Sequence, residues 1–406
     1  MTTPAGPSRR RLLGYAGAGG LGLLVGGSGG AALAGSAGPP SQPVPGPDGV
    51  LAGTVGPYGE HQPGITVPTP RSTRLVALDL RRGTDAEALG RLMRLWTGDI
   101  VAATQGRPAP GDTAPDLAQE NTDLTVTVGW GPALFGKVGL AEHRPAGLAG
   151  VPPMRHDRLQ RRWTGGDLLL MVGAADDTTV VHVLRRLLLD AEPFAEVRWE
   201  QVGSWRGLDA EHRPTTGRNL FGQVDGTANL HPDDTRFGPT VWANTPDWFA
   251  GGTTLVVRRI RMDLTTWDEL TRDEQERSIG RDLSAGAPLT GGVEADDMDL
   301  AAVDEGGRLV VPANAHSRLS HPSLNGGARI FRKGLNYTTE GKDREAGLIF
   351  LSFQADVESQ FTRIQRRLDH HDALNEWTTA IGSAEFAILP GFAEGGWLGE
   401  SLLGGL

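Results

Sequence analysis

The chain has 406 residues, a length that accommodates two domains of ordinary size. Its charged and hydrophobic fractions, 22% and 38%, are those of a folded globular protein rather than a disordered one. A net charge of −10 argues against a nucleic-acid-binding protein, which normally presents a basic face. The absence of cysteine excludes disulfides, thiolate metal sites and cysteine nucleophiles.

The first 34 residues have the composition of an export signal. Arg9, Arg10 and Arg11 precede an apolar, glycine-rich stretch that ends at Ala32-Leu33-Ala34. The stretch is nearly long enough to anchor the chain in a membrane, but its many glycines lower its hydrophobicity and favour a cleaved signal. Paired arginines before such a segment are typical of the twin-arginine pathway, which exports proteins already folded. We therefore expect residues 1–34 to be a twin-arginine signal peptide, the protein to be secreted, and no stable membrane span to remain after cleavage.

Residues 35–71 are rich in proline, glycine and serine and show little periodicity. This composition predicts a linker that runs along the surface of the folded part of the chain. We expect two domains after it, over residues 72–215 and 216–406.

The first of these domains is predicted to contain four strands and two helices. Runs of apolar or alternating residues indicate the strands, and apolar residues at three- and four-residue spacing indicate the helices. The predicted strands cover residues 74–80, 124–129, 167–173 and 195–205, and the predicted helices cover residues 85–104 and 178–190. Their order, β-α-β-β-α-β, is the ferredoxin-like pattern.

The second domain repeats this order. Strands are predicted over residues 254–262, 328–337, 347–354 and 384–389, and helices over residues 267–279 and 357–368. Thr265 or Thr266 is the expected N-cap of the first of these helices. The predicted fold class is therefore α+β, with two ferredoxin-like halves, antiparallel sheets and a site in or near their junction.

The loop from Asn219 to Asn229 follows the junction and carries Asp225 between glycines. An aspartate in this setting is commonly a turn residue whose side chain caps its own backbone. A carboxylate placed at a domain junction can also act as a general acid or base. Both interpretations remain open from this loop alone.

Two histidines and an arginine lie further along the chain. His316 and His321 flank a short serine- and arginine-containing segment, and by chemistry either could ligate a metal. Strand alternation places Arg332 on the same face as Ile330 and on the face opposite Lys333. Because the next predicted strand is almost wholly apolar, Arg332 needs a negatively charged partner.

Together these segments resemble the dye-decolorising haem peroxidases, in particular those secreted with a twin-arginine signal. The resemblance covers almost all of the chain after the linker and implies that haem b is held mainly by the second half. The segments that carry it are Tyr58-Gly-Glu-His-Gln-Pro-Gly64, Thr125-Val-Thr-Val-Gly129, Gly222-Gln-Val-Asp-Gly-Thr-Ala-Asn229, Leu255-Val-Val-Arg-Arg-Ile-Arg-Met262, His316-Ser-Arg-Leu319, Ile330-Phe-Arg-Lys-Gly334 and Gly347-Leu-Ile-Phe-Leu-Ser-Phe-Gln354.

The resemblance also implies roles for individual residues. It makes His316 the axial ligand of the haem iron, and it places Asp225 and Arg332 on the opposite, distal side. Glu376 is implied as the carboxylate that accepts the second N–H of the axial histidine. Further haem or distal-pocket contacts are implied for Gly226, Thr227, Ala228, His321, Pro322, Ser323, Leu351 and Phe353.

The implied activity is a peroxidase reaction in which hydrogen peroxide oxidises phenolic or dye-like aromatic donors. Asp225 would move a proton between the two peroxide oxygens, and Arg332 would stabilise the charge that develops. Donors too bulky for a closed pocket would need a surface aromatic residue, for which Tyr337 and Trp377 are the candidates. A secreted iron-releasing protein and a non-catalytic binding module on the same scaffold remain alternatives, and a homo-oligomer remains open.

Overall fold

A computed structural model describes residues 54–119, 123–148, 150–207, 215–341 and 344–405. The predicted signal peptide, residues 1–34, and the first part of the predicted linker lie outside the described residues. Within the described residues, no helix combines the length and apolar character needed to cross a membrane.

The strands of the described chain form a closed antiparallel arrangement. In space their order is β1-β3-β2-β8-β5-β7-β6-β4, and the ring closes because β4 also pairs with β1. The strands are β1 (Ser72–Leu80), β2 (Thr125–Trp130), β3 (Leu168–Ala174), β4 (Ala195–Ser204), β5 (Thr253–Met262), β6 (Phe331–Thr338), β7 (Ala346–Gln354) and β8 (Thr378–Ile388).

Helices of several lengths connect and cover these strands. The α-helices are α1 (Ala86–Thr104), α2 (Asp116–Gln119), α3 (Pro132–Lys137), α4 (Asp177–Ala191), α5 (Phe237–Val241), α6 (Leu264–Trp267), α7 (Arg272–Ile279), α8 (His316–Leu319), α9 (Arg363–His371) and α10 (Glu400–Leu403). The 3₁₀ turns are Ala141–His143, Arg161–Trp163, Pro322–Leu324 and Ala373–Glu376, and Val357–Thr362 is a π-helical segment before α9.

Each half of the chain contributes one four-stranded sheet. The first sheet has the order β4-β1-β3-β2 and the second has the equivalent order β8-β5-β7-β6. This repeat confirms the predicted α+β class with two ferredoxin-like halves. The sheets meet at narrow seams, where β2 pairs with β8 over two residue pairs and β4 pairs with β6 only at Ser204 and Asn336.

Both faces of the first sheet are covered, which explains the continuous apolar runs of β1 and β3. On the outer face, α1 and α4 pack their apolar stripes against the sheet. On the inner face, Leu75 and Trp199 join a second core with Leu335 and Phe353 of the other sheet. The shared core between the sheets fixes the face on which each residue of β6 and β7 lies.

The predicted helix over residues 267–279 is wrong in its extent. α6 ends at Trp267, and α7 begins separately because Thr271 and Glu274 form a capping box. The N-cap of α6 is Asp263, whose side chain accepts from the backbone N–H of Thr266. Neither Thr265 nor Thr266 is therefore the cap.

Residues 61–67, which we call the inter-sheet strap, do not run along the surface as the linker prediction stated. Gln62 is 2% exposed and Ile65 is 1% exposed, because the strap passes between the two sheets. The Gln62 carboxamide accepts from Val128 N–H at 2.8 Å and donates to Val128 O and Leu389 O at 2.8 and 2.9 Å. Lys333 Nζ donates to Gly64 O and Val67 O, so the strap is bound to both halves.

Candidate functional site

The Asp225 loop is folded back on itself before it reaches the second sheet. Arg218 and Val224 form an isolated β-bridge, and Asp225 N–H donates to Gly217 O at 2.9 Å. Gly226 has φ of +135°, a backbone conformation that favours glycine. The loop is therefore a true turn, and this turn also presents the Asp225 carboxylate to β6.

Arg332 meets Asp225 across 107 residues of sequence. Arg332 Nε and Nη2 lie 3.2 and 3.1 Å from the same carboxylate oxygen, Asp225 Oδ1. The Arg332 side chain is 23% exposed and the Asp225 side chain 14%, so the ion pair is largely buried but still accessible to solvent. Arg332 thus has the negatively charged partner that its strand position demanded.

Two asparagines of the same loop hold this pair. Asn219 Nδ2 donates to the second oxygen of Asp225, Oδ2, at 3.2 Å. Asn229 Nδ2 donates to Arg332 O at 2.7 Å, while Asn229 Oδ1 accepts from Arg332 N–H at 3.0 Å. The sequence predicts no role for either asparagine, although both lie within the loop that carries Asp225.

His316 opens the one-turn helix α8, which is anchored from several directions. Ser317 Oγ donates to Ile279 O of α7, and Leu319 packs with Ile364 and Leu368 of α9. His316 Nδ1 lies 2.5 Å from Asp372 Oδ2. The Asp372 side chain is 5% exposed, and its other oxygen accepts from Leu374 N–H at 2.9 Å.

The prediction for Glu376 is wrong. The carboxylate bonded to His316 is Asp372, four residues earlier, and Glu376 is exposed at the end of the 3₁₀ turn. Asp372 holds the N-cap position of that turn, between α9 and Ala373–Glu376. An aspartate directly before a short helical segment is an N-cap signal, which marks the position of the cap but not its contact with His316.

The electrostatics of His316 reflect its surroundings. Burial alone lowers the pKa of His316, but the charge and hydrogen bond of Asp372 outweigh it, and the net pKa is raised. The charge of Arg332 lowers the pKa of His316 and that of Asp225 raises it, so the three side chains lie close enough to interact electrostatically. The structure therefore brings Asp225, Arg332 and His316 together.

His321 cannot replace His316 as a ligand in this arrangement. Its Nδ1 contacts Ser323 Oγ at 2.8 Å, and its Nε2 contacts Asp297 Oδ1 at 2.9 Å. His321 also caps the 3₁₀ turn Pro322–Leu324. Both ring nitrogens are engaged, whereas Asp372 engages only Nδ1 of His316 and leaves Nε2 for a metal.

The three residues after Asp225 are presented at the edge of the site. Thr227 Oγ1 donates to Glu294 Oε1 at 2.9 Å, Gly226 and Thr227 are partly buried, and Ala228 is exposed.

The prediction that Leu351 and Phe353 line the distal pocket is wrong. In the β6–β7 register, Arg332 is opposite Ser352, whereas Lys333 is opposite Leu351 and Phe331 is opposite Phe353. Directly paired residues of antiparallel strands project from the same face. Leu351 and Phe353 therefore lie in the core between the sheets.

The residues that share the Arg332 face of β7 are its alternate members. They are Leu348, Phe350 and Ser352. Phe350 is only partly buried, in contrast to Leu351 and Phe353. Strand alternation predicted the face of Arg332, but the register that links it to β7 could not be obtained from one sequence.

The donor set and its surroundings fit a haem. The His316 side chain keeps 32% of its surface accessible, and Asp372 occupies only one of its two ring nitrogens. One imidazole oriented by a carboxylate is the usual single protein ligand of a peroxidase haem, since the macrocycle supplies the other nitrogens. Asp225 and Arg332 then supply the polar groups of the same site.

Family models match both halves of the chain. The model described as Dyp-type peroxidase, N-terminal, matches residues 62–204, and the model described as Dyp-type peroxidase, C-terminal, matches residues 216–393. The N-terminal match begins inside the inter-sheet strap.

Individual relatives agree with the family models. The chain is 40% identical over 363 residues to the dye-decolorizing peroxidase of Thermobifida fusca (strain YX), covering 85% of this chain and 84% of that protein. It is 34% identical over 370 residues to a deferrochelatase of Yersinia pestis bv. Antiqua (strain Nepal516), again covering 85% and 84%. The solved structure of ferric DtpA from Streptomyces lividans is 39% identical, with a TM-score of 0.84 and coverage of 88% of this chain and 99% of that chain.

Fold, site and relatives define a haem-dependent peroxidase, an enzyme that uses hydrogen peroxide and an electron donor. The chain belongs to the Dyp-type peroxidase family. This membership removes the non-catalytic binding module from the alternatives.

Proposed function

We propose that Asp225 and Arg332 promote cleavage of the peroxide O–O bond at a haem b whose iron is bound by His316. The observation that carries the proposal is the pairing of Asp225 with Arg332, 3.1 Å apart, in the same site as the carboxylate-bound His316. Haem, when bound, would supply the iron at which peroxide binds and the electrons that reduce the peroxide.

Each side chain has a distinct task in this proposal. Asp225, as the carboxylate, accepts the proton of the peroxide oxygen nearer the iron and delivers it to the outer oxygen, which leaves as water. Arg332 donates hydrogen bonds to the negative charge that develops during cleavage. Asp372 makes the His316 imidazole a stronger electron donor by accepting its Nδ1–H.

The test is the rate at which the ferric holoprotein reacts with hydrogen peroxide, followed by stopped-flow absorption. We expect Asp225→Asn and Arg332→Leu each to slow this reaction by about a hundredfold or more, the usual size of a lost acid–base or electrostatic contribution. Normal rates in both variants would refute the proposal. Haem content, measured in the same samples, serves as the control for cofactor loss.

For donors we propose phenolic and dye-like aromatics that are oxidised at the protein surface through Trp377. Trp377 is partly buried and lies edge-on to Trp267 at 5.3 Å, and Trp267 stacks on Phe221 of the Asp225 loop at 4.3 Å. These rings form a chain of aromatic contacts from the surface to the loop that carries Asp225. Tyr337, the other candidate, is 3% exposed and therefore not a surface residue.

The donor proposal is tested by comparing Trp377→Phe with Trp397→Phe. Trp397 is also partly exposed, but it lies against Arg94 and outside the path just described. We expect Trp377→Phe to reduce turnover of a bulky dye while the peroxide reaction and turnover of a small phenol stay unchanged. Equal dye turnover in both variants and the wild type would exclude Trp377 as the oxidation site.

A second candidate function is release of iron from haem, favoured by the 34% identity to a deferrochelatase. Incubation of the haem-loaded protein with a ferrous chelator distinguishes the two. Iron release that leaves intact protoporphyrin would favour this function, and peroxide-dependent donor oxidation without such release would favour the peroxidase function.

We also propose secretion through the twin-arginine pathway, supported by Arg9 and Arg10 ahead of a weakly apolar segment. Replacement of both arginines by lysine should retain the protein in the cytoplasm. Export that persists after this replacement would contradict the proposal.

A further inference from the structure

The main chain of Arg332 lies at a part of β6 that lacks a second strand partner. On one side β6 pairs with β7 along its length, but within the described residues its pairing with β4 is limited to Asn336 and Ser204. An exposed strand edge leaves main-chain N–H and C=O groups that require other partners. At Arg332 these partners come from a side chain.

Asn229 takes the place of the missing strand. Its Oδ1 accepts from Arg332 N–H at 3.0 Å and its Nδ2 donates to Arg332 O at 2.7 Å. A carboxamide carries the same donor and acceptor as a peptide group, so one side chain satisfies both main-chain groups. In antiparallel sheets both groups of a residue point to the same side, which is the geometry that Asn229 matches.

The position of Asn229 links this contact to the other half of the ion pair. Asn229 follows Asp225 by four residues, and its own N–H donates to Gly226 O at 2.9 Å in the turn between them. One short turn therefore carries the Asp225 carboxylate and also forms hydrogen bonds with the main chain of Arg332.

We propose that Asn229 is a positioning residue, which holds Arg332 at the distance from Asp225 that the peroxide reaction needs. The inference rests on the proposed roles of Asp225 and Arg332. Misplacement of a reacting group by about 1 Å can cost about a hundredfold in rate, so a main-chain contact of this kind has kinetic consequences.

A purely structural role for Asn229 is the competing explanation, and the chain offers a matched control. The Gln62 carboxamide forms hydrogen bonds with both the N–H and the C=O of Val128, at 2.8 Å each. The Asn229 carboxamide does the same with the N–H and C=O of Arg332. Gln62 lies in the inter-sheet strap, at the seam between β2 and β8. Asn229→Ala and Gln62→Ala therefore each remove a bond to the N–H and a bond to the C=O of one strand residue, Gln62→Ala also removes the bond to Leu389 O, and only Asn229→Ala affects the ion pair.

The experiment measures the peroxide reaction of the ferric holoproteins in a double-mutant cycle of Asn229→Ala and Arg332→Leu. We expect Asn229→Ala to be about ten- to a hundredfold slower than wild type and Gln62→Ala to be unchanged. Because Asn229 acts through Arg332, the double variant should be as slow as Arg332→Leu alone, within about twofold. If Asn229→Ala does not retain haem, Asn229→Asp, which keeps the size but loses the donor, replaces it in the cycle.

A second readout is equilibrium binding of fluoride to the ferric holoprotein, which reports a hydrogen-bond donor near the iron without turnover. We expect weaker fluoride binding in Asn229→Ala than in Gln62→Ala, and no further weakening when Asn229→Ala is added to Arg332→Leu. A normal rate and normal fluoride affinity in Asn229→Ala, or losses that add to those of Arg332→Leu, would overturn the inference. A normal rate in Arg332→Leu would instead overturn the proposed role of Arg332 itself.

Discussion

At the scale of single residues, every charged group of the site is held by a second side chain. Asp225 accepts a hydrogen bond from Asn219, and Arg332 forms an ion pair with Asp225. His316 is oriented by Asp372, whose own position is fixed by the turn that it caps. Such supporting contacts set both the geometry and the electronic character of the groups that react.

The His316–Asp372 contact yields a prediction about redox potential. Asp372→Asn removes the negative charge beside the imidazole, so His316 becomes a weaker electron donor and the ferric state is less stabilised. We expect the reduction potential of the bound haem iron to rise by tens of millivolts, measured by spectroelectrochemistry.

Glu376→Gln is the matched control for this change. It makes the same carboxylate-to-amide substitution four residues away, at an exposed position. Its reduction potential should equal that of the wild type. A rise in the reduction potential of Glu376→Gln with no change in Asp372→Asn would indicate that Glu376, and not Asp372, is the carboxylate that accepts the His316 N–H.

The charged residues of the site were easier to predict than their supports. Asp225, His316 and Arg332 stand in recognisable segments, and their chemistry is unusual for their local patterns. Asp372 and Asn229 are ordinary cap and loop residues by sequence, and their roles depend on contacts across 56 and 103 positions. Contacts of that range are set by the fold and leave no local signal.

At the scale of elements, most strands and the long helices follow from local patterns, since their apolar spacing matches the faces that they bury. The exceptions have local causes, such as the capping box that divides α6 from α7. The face of the sheet on which Leu351 and Phe353 lie, relative to Arg332, depends instead on the register between β6 and β7. A shift of one residue moves every side chain of a strand to the other face, and the alternation within β7 was masked because both of its faces are covered.

β8 carries a buried acid that makes stability depend on pH. Glu385 is 7% exposed, and burial raises its pKa from the usual 4.5 to about 7 despite hydrogen bonds from the backbone of Gly150 and Val151. Between these values the folded protein holds more protons than the unfolded chain. The stability that Glu385 contributes through its raised pKa is therefore fully present below about pH 4.5 and is lost as the pH rises through 7.

Glu385→Gln should remove this pH dependence. We expect the variant to exceed the wild type in free energy of unfolding by about 1–3 kcal/mol at pH 8, and to differ little at pH 4.5. Denaturant unfolding of both proteins at the two pH values measures the difference. Equal stabilities at pH 8 would show that Glu385 is not forced to ionise in an apolar setting.

At the scale of the whole molecule, the two halves are joined by a shared core and by the inter-sheet strap more than by strand pairing. The seams contain few residue pairs, whereas Gln62 and Lys333 bind the strap to both sheets. Composition predicted a surface linker here, because loops rich in glycine and proline usually lie outside. Gly64 is needed inside, where an added Cβ would come within 2.3 Å of Thr127 Oγ1.

This arrangement predicts that the halves unfold together. Gln62→Ala leaves the N–H of Val128 and the carbonyls of Val128 and Leu389 without their side-chain partner, and it should lower the free energy of unfolding by about 1–3 kcal/mol. Far-UV circular dichroism and haem absorption should then report one coincident transition at lower denaturant concentration. Separate transitions for the two signals would contradict a single cooperative unit.

The central claim is that His316 binds the iron of a peroxidase haem. The most direct measurement is the absorption spectrum of the ferric protein in wild type, His316→Ala and His321→Ala, with and without added imidazole. We expect only His316→Ala to lose the histidine-ligated spectrum and free imidazole to restore it. An unchanged spectrum in His316→Ala, with loss in His321→Ala, would contradict it.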